Sequence, residues 1–459
     1  MDHYDLVILG SGSGNSLVTP DLDGRRVALV EASPVFGGTC LNVGCIPTKM
    51  YVYAADVADT TRSAPRYGVS GRVDGVDWPA IRDRIFGRID PISAGGRAYR
   101  ETGPNTTLVS GHARFVGPRT LDVALRDGGT AHITGDQVVV ATGSRVTVPD
   151  VILASGVPFE TSDTVMRVPA LPASMAILGG GYVAAEFAHV FSALGVRVTV
   201  VARGPQLLRH LDGEISRRFT QVAREQWDVR TDTGVTAAHS TPGGVRLTLT
   251  DGSDLDVETL LVATGRRPNS DDLGVEAAGL RLHDDGRIVV DEYGRTGVEG
   301  VWALGDVVAA EQLKHVANAQ ARTIAHNLAH PGDLLPFLAA PVPSAVFTHP
   351  QIASVGRTQD ELDAAGERYT VKVQAYGDTA YGWAMEDTTG VCKVLADPAT
   401  GAILGAHLMG PQASVIIQPA IQAMSTGQSV RDIVRTQYWI HPALPEVLEN
   451  ALLGLELDD

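Results

Sequence analysis

The chain has 459 residues, 44% of them hydrophobic and 50 of them glycine, and carries a formal net charge of −16. That length exceeds one ordinary core, so about two to four domains are expected, and an acidic balance without a basic run disfavours a nucleic-acid partner. No stretch approaches the roughly 20 apolar residues of a membrane span, and the opening Met1-Asp2-His3-Tyr4 is acidic where a secretion signal is basic, so a cytoplasmic protein is expected.

Residues 5 to 31 read as strand, glycine turn, helix, strand. Asp5–Leu9 is apolar, Gly10-Ser11-Gly12-Ser13-Gly14-Asn15 is the turn, and Val27–Val30 runs into Glu31. This is the logic of a dinucleotide site. Gly10, Gly12 and Gly14 let the backbone approach a pyrophosphate, a helix N-terminus favours its charge, and Glu31 can accept from a ribose hydroxyl. Asn15 stands where the third glycine of G-x-G-x-x-G belongs, which questions the closeness of helix–strand packing but not the phosphate turn.

Residues 37 to 49 read Gly-Gly-Thr-Cys-Leu-Asn-Val-Gly-Cys-Ile-Pro-Thr-Lys, with Cys40 and Cys45 five apart and Lys49 one helical turn beyond. A disulfide needs its Cα atoms within roughly 4.4–6.8 Å, which a regular helix slightly exceeds at this spacing. Gly44 lets the backbone distort enough to close the gap. Pro47 suits a first helical turn, and the positive helix end favours a thiolate. One close pair in a long chain of a reducing compartment reads as a redox-active dithiol. Cys392, the third cysteine, has no cysteine nearby and reads as core. No residue is assigned to a metal.

Residues 50 to 105 read as helical and polar, with Asp77-Trp78-Pro79 opening a helix. Residues 106 to 143 read as short strands ending in Val138-Val-Val-Ala-Thr-Gly143, which puts a glycine turn at a strand's carboxyl end, where α/β ligands gather. A second dinucleotide unit starts at Ser174. Its strand is Met175–Leu178, its turn Gly179-Gly-Gly181-Tyr182-Val-Ala184, its helix runs through Glu186 and Phe191, and its second strand is Val198–Val201. Ala202 occupies the acidic place, with Arg203 and Arg209 following. An acid would repel a 2′-phosphate, whereas arginines bind one through charge-assisted forks, so NADPH is expected over NADH. Leu260-Leu-Val-Ala-Thr-Gly265 repeats the ending at Gly143, which implies that the second unit is inserted into the first. Past Pro341-Val-Pro343, strands near residues 345–347, 392–394 and 403–406 alternate with helices. His441-Pro442-Ala-Leu-Pro445-Glu446 precedes a last apolar helix; a carboxylate at Glu446 can fix the tautomer of His441 and raise its basicity.

The stretch from Gly37 to Lys49 resembles the active-site helix of the flavin-dependent pyridine nucleotide–disulfide oxidoreductases, G-G-T-C-x-N-x-G-C-I-P-[ST]-K, at every fixed position. Gly300-Val-Trp-Ala-Leu-Gly305-Asp306 is similar to the family's second flavin motif, and His441 to Glu446 to its H-P-x-x-x-E pair. The resemblance implies an α/β fold with two Rossmann-like domains, for FAD and NADPH, the second inserted in the first, plus a C-terminal α+β dimerisation domain. The expected boundaries are 1–145 and 267–340 for the FAD domain, 146–266 for NADPH and 341–459 for dimerisation. It implies a homodimer in which His441 and Glu446 serve the dithiol of the other subunit. Gly38, Thr39, Lys49, Gly143, Gly305 and Asp306 are the implied flavin contacts, with Glu186 as the partner of Lys49. Gly179, Gly181, Tyr182 and Gly265 belong to the nicotinamide side, Tyr182 covering its pocket. Electrons would leave through Cys45, with Cys40 attacking the substrate. The Asn15 turn and the segment Leu313–Arg322 resemble the branch that reduces mycothione, the disulfide of mycothiol; the glutathione disulfide and lipoamide branches are the alternatives.

Overall fold

A computed structural model describes residues 1–458. Five parallel strands form the first sheet, in the order Thr106–Gly117, Val27–Glu31, Asp2–Leu9, Thr130–Val140, Val301–Ala303. The outer halves of Thr106–Gly117 and Thr130–Val140 run past this sheet and are joined by the antiparallel strand Thr120–Leu125. The expected short strands of this region are therefore 12 and 11 residues long around one of 6, because each long strand serves two layers.

The helix expected after the first glycine turn does not form. Ser13–Leu17 and Pro20–Leu22 are short 3-10 turns instead. Pro20 has no N–H to continue a preceding turn, and Gly24, at φ +82°, bends the chain towards Val27, so too few residues remain to repay helix nucleation. Asn15 is consequently not pressed against a strand. Its side-chain oxygen accepts from Arg100 Nε at 2.7 Å, tying the turn to the helix Trp78–Glu101.

The second unit repeats the plan of the first. Its parallel strands are ordered Asp228–Arg230, Arg197–Val201, Ser174–Leu178, Thr259–Val262, Glu160–Thr161, and an antiparallel meander, Val235–Thr241, Gly244–Leu249 and Asp254–Val257, covers it. Here the helix does form, over Tyr182–Ala193. The sheets explain the insertion. Val301–Ala303 returns to pair with Thr130–Val140, so the second sheet lies between two segments of the first. The two crossings run side by side, Ser144–Val146 pairing antiparallel with Arg266–Pro268.

A third, antiparallel sheet is ordered Ser344–Val346, Ile352–Gly356, Ile403–Met409, Val391–Ala396, Thr370–Ala375. Cys392 is fully buried in it, as the core reading expects. One apolar cluster joins all three parts: Tyr51 and Trp78 stack at 4.9 Å, Trp78 meets Phe191 at 5.8 Å, and Ile352 and Met409 close the far side. That shared core holds the helix Cys45–Ser63 against the helix Tyr182–Ala193.

Candidate active site

The dithiol stretch folds as two helices rather than one. Gly38–Asn42 carries Cys40, the chain changes direction at Val43–Gly44, and Cys45 begins the helix Cys45–Ser63. Crowding dictates Gly44: a Cβ there would lie 2.9 Å from the Thr39 carbonyl oxygen and 3.3 Å from Cys40 Cα. The break sets the two thiols close enough that each is the largest influence on how the other titrates. Both are free thiols in this structure.

The two sulfurs are inequivalent. The hydrogen bond from Cys40 lowers the Cys45 thiol to about 7, the charge of Lys49 assisting against burial, and the first position of a 19-residue helix favours the thiolate further. The same bond, with burial, pushes the Cys40 thiol well up. In the dithiol form the proton therefore rests on Cys40 and the negative charge on Cys45. Because Cys45 is lowered from 9.0, its thiolate is present above a pH of about 7 and lost as pH falls through it. Alkylation of Cys45 by iodoacetamide in the reduced protein, followed by mass spectrometry, is expected to show that midpoint. Lys49→Met should move it upward; a wild-type midpoint near 9.0 would contradict the arrangement.

Lys49 Nζ lies 2.5 Å from Glu186 Oε2 and 4.5 Å from the Phe347 ring. Glu186 is 4% exposed, and its other oxygen accepts from the Phe347 N–H at 3.0 Å. A buried carboxylate of this kind needs both partners. Further along the same helix pair, His189 Nε2 lies 2.9 Å from Asp56 Oδ1. The family resemblance implied the Lys49–Glu186 pairing, 137 residues apart; it did not name Phe347 or the Asp56–His189 contact, and nothing local marks partners separated by 161 and 133 residues.

The two glycine turns have one design. Gly10 at φ +106° and Gly179 at φ +133° each lie over a carbonyl, and a Cβ would fall 2.4 Å from Ala141 O or 2.2 Å from Ala263 O. The repeated Ala-Thr-Gly endings are thus the floors of the two turns. Gly14 is tight too, 2.9 Å from an Ile8 methyl, and Gly38 rests on Gly12, which seats the start of the dithiol stretch and the exposed Thr39 on the first turn. Other glycines face open space: a Cβ on Gly143, Gly181 or Gly265 meets nothing within 4 Å. Gly181 has an ordinary φ of −89°, so neither packing nor backbone demands glycine there. Close approach of a ligand does.

The charged residues of these turns are held in place. Glu31, 8% exposed, accepts from the Ser11 N–H at 2.8 Å, from the Ser11 hydroxyl and from the Ser33 N–H at 2.6 Å. Asp306, in the turn Gly305–Val307, accepts from Ser144 Oγ at 2.7 Å, and Arg266 Nε donates to that hydroxyl at 2.9 Å. Ser144 was not singled out from the sequence. Tyr182 opens its helix at the end of the second turn, near enough for the charges of Arg266, Asp306, Glu186 and Cys45 to act on it, and burial raises its phenol above the ordinary range. Arg203 and Arg209 are exposed and, among the described residues, make no ion pair with a carboxylate. His441 Nδ1 lies 2.6 Å from Glu446 Oε1, whose other oxygen accepts from the Ala443 N–H at 3.1 Å. The His441 side chain is 71% exposed and is not among the groups that perturb either thiol of its own chain.

Residues 4–323 match the family described as pyridine nucleotide-disulphide oxidoreductase, and residues 342–452 match its dimerisation domain. The chain belongs to the pyridine nucleotide-disulphide oxidoreductases. Mycothione reductase of Mycobacterium tuberculosis is 52% identical over 99% of this chain and 100% of its own length. Mercuric reductase of Streptomyces lividans is 35% identical, covering 96% of this chain and 93% of its own. Among solved structures, the HOCl-induced flavoprotein disulfide reductase RclA of Escherichia coli superposes with a TM-score of 0.87 at 28% identity over 99% of both chains. As a pyridine nucleotide-disulphide oxidoreductase the protein is an enzyme that uses FAD and NAD(P)H, and its C-terminal part is the family's dimerisation domain. The open glycine turns, with Glu31 and Asp306 beside the first, fit two such dinucleotides. No helix is long and apolar enough to cross a membrane.

Proposed function

We propose that this enzyme reduces mycothione to mycothiol with NADPH. The observation that carries the reading is the 52% identity to a mycothione reductase along the full length of both chains. The balance is one NADPH and one proton consumed, one disulfide bond broken and two thiols released. When bound, FAD supplies the two-electron relay between nicotinamide and disulfide.

The chain's residues take the following parts. Lys49, held by Glu186, keeps positive charge beside Cys45. Tyr182 covers the nicotinamide side. Cys40 attacks the substrate disulfide and forms a mixed disulfide. Because the proton of the dithiol rests on Cys40, the attack needs a base. His441 of the partner subunit takes that proton and returns it to the departing thiol, with Glu446 fixing its tautomer. Cys45 then attacks Cys40, re-forming the internal disulfide and releasing the second mycothiol as a thiolate, which takes the one consumed proton from solvent. The high exposure of His441 within one chain supports a site shared by two subunits.

The NADPH preference is supported by Ala202 and the carboxylate-free Arg203 and Arg209. Arg203→Ala with Arg209→Ala is expected to raise KM for NADPH far more than for NADH, each lost contact costing roughly 1.5–3 kcal/mol. Equal effects on both nucleotides would refute the preference. The substrate is tested by NADPH oxidation with mycothione, glutathione disulfide, lipoamide and oxidised thioredoxin. Strong turnover with mycothione alone is expected. Preference for glutathione disulfide, or for lipoamide with NADH, would overturn the assignment.

A further inference from the structure

Lys393 and Asp212 form an ion pair that the reduction chemistry does not use. Lys393 Nζ lies 2.9 Å from each Asp212 oxygen, and the two side chains are 2% and 0% exposed. Lys393 belongs to the strand Val391–Ala396 of the third sheet. Asp212 belongs to the second unit, where it caps the helix Gly213–Gln226 by accepting from the Glu214 N–H at 3.0 Å. The Gln359 N–H, again from the C-terminal part, donates to Asp212 Oδ2 at 3.1 Å. Burial alone would raise the Asp212 carboxyl, but Lys393 and the Gln359 N–H outweigh it and leave it lowered. His407, opposite Lys393 on the neighbouring strand, is lowered by burial and donates to the Arg357 carbonyl at 2.9 Å rather than to Asp212.

Such a pair contributes little net stability, since well-packed apolar residues often do as well. Its location is more informative. Asp212 ends the loop 202–211, which carries Arg203 and Arg209. The loop is pinned upstream at buried Leu208, whose N–H donates to the Gly180 carbonyl at 2.6 Å in the second glycine turn and whose own carbonyl accepts from Ser216 Oγ at 2.7 Å. Arg209 therefore stands between two anchors. One is internal to the nucleotide unit, and the other reaches across to the third sheet.

We propose that Lys393 is a positioning residue for nucleotide choice: through Asp212 it fixes the loop end that presents Arg209 to the 2′-phosphate of NADPH. The proposal rests on the reading of Arg203 and Arg209 given above. Discrimination between the two nucleotides then depends on the dimerisation domain as well as on the nucleotide unit.

The test uses the full-length, FAD-loaded enzyme. Lys393→Met and the neutral pair Lys393→Met with Asp212→Asn are compared with wild type for kcat and KM with NADPH and with NADH. The neutral pair leaves no lone buried charge and keeps a side-chain acceptor at the helix cap, so it remains informative where the single variant fails to fold. KM for NADPH is expected to rise about five- to tenfold, while kcat and KM for NADH stay within about twofold. In an Arg209→Ala background, Lys393→Met should leave the NADPH/NADH ratio unchanged. A neutral pair with the wild-type ratio, or with equal losses for both nucleotides, would overturn the positioning role and leave a merely structural contact. If Arg203→Ala with Arg209→Ala itself leaves the ratio unchanged, the 2′-phosphate reading fails and takes this proposal with it. If that variant shifts the ratio and the Lys393 variants do not, only the positioning role fails.

Discussion

Cys40→Ser is expected to lower disulfide turnover about 10⁴-fold or more, the range seen when a catalytic nucleophile is removed. Serine is nearly isosteric, and Cys40 sits in a short helix whose turn is set by Gly44, so the fold should survive. A hydroxyl cannot supply the nucleophile or form the mixed disulfide. Tyr182 and the Lys49–Glu186 pair are untouched, so anaerobic NADPH should still bleach the flavin absorbance. Stopped-flow spectroscopy separates the two half-reactions: reduction by NADPH kept, reoxidation by disulfide lost. A variant that still turns over disulfide at the wild-type rate would remove Cys40 from the mechanism.

His441→Gln should lower turnover about 10²–10⁴-fold, the usual contribution of a positioned acid–base group. Glu446→Gln should cost less, because its role is to orient the ring through the 2.6 Å contact with Nδ1. A mixed dimer decides whether the site is shared. Chains bearing only Cys40→Ser pair with chains bearing only His441→Gln. If each dithiol uses His441 of the partner subunit, one of the two sites regains both groups, and about half the wild-type rate per dimer returns. A mixed dimer as inactive as its parents would place the acid–base group within one chain.

Much of this site can be read from short sequence segments because its chemistry is local. The cysteine pair, Gly44 and Lys49 all fall between Cys40 and Lys49, and the H-P-x-x-x-E stretch runs only from His441 to Glu446. The doubled Ala-Thr-Gly endings disclose the insertion because each must floor a glycine turn. What sequence did not disclose falls into two kinds. One is the state of a marginal element: the helix after the first turn gives way to 3-10 turns because Pro20 and Gly24 leave it too short. The other is pairing at long range. Ser144 meets Asp306 across 162 residues and Lys393 meets Asp212 across 181, and no periodicity or spacing connects such partners. The break of the dithiol stretch into two helices lies between these cases: Gly44 announces a distortion, but its direction is set by contact with Thr39 and Cys40.

The antiparallel ladder of Ser144–Val146 with Arg266–Pro268 places the two ends of the nucleotide unit beside one another, Ser144 opposite Pro268 and Val146 opposite Arg266. A segment whose ends already touch can be grafted with little loop-closure entropy, in the manner of a cassette. Segment 147–265 from a relative of opposite nucleotide preference could therefore be exchanged while the dithiol, its lysine and the histidine loop stay as they are. Seams to be matched in such a chimera include Glu186 to Lys49, His189 to Asp56, Arg167 to Asp90 and Asp212 to Lys393.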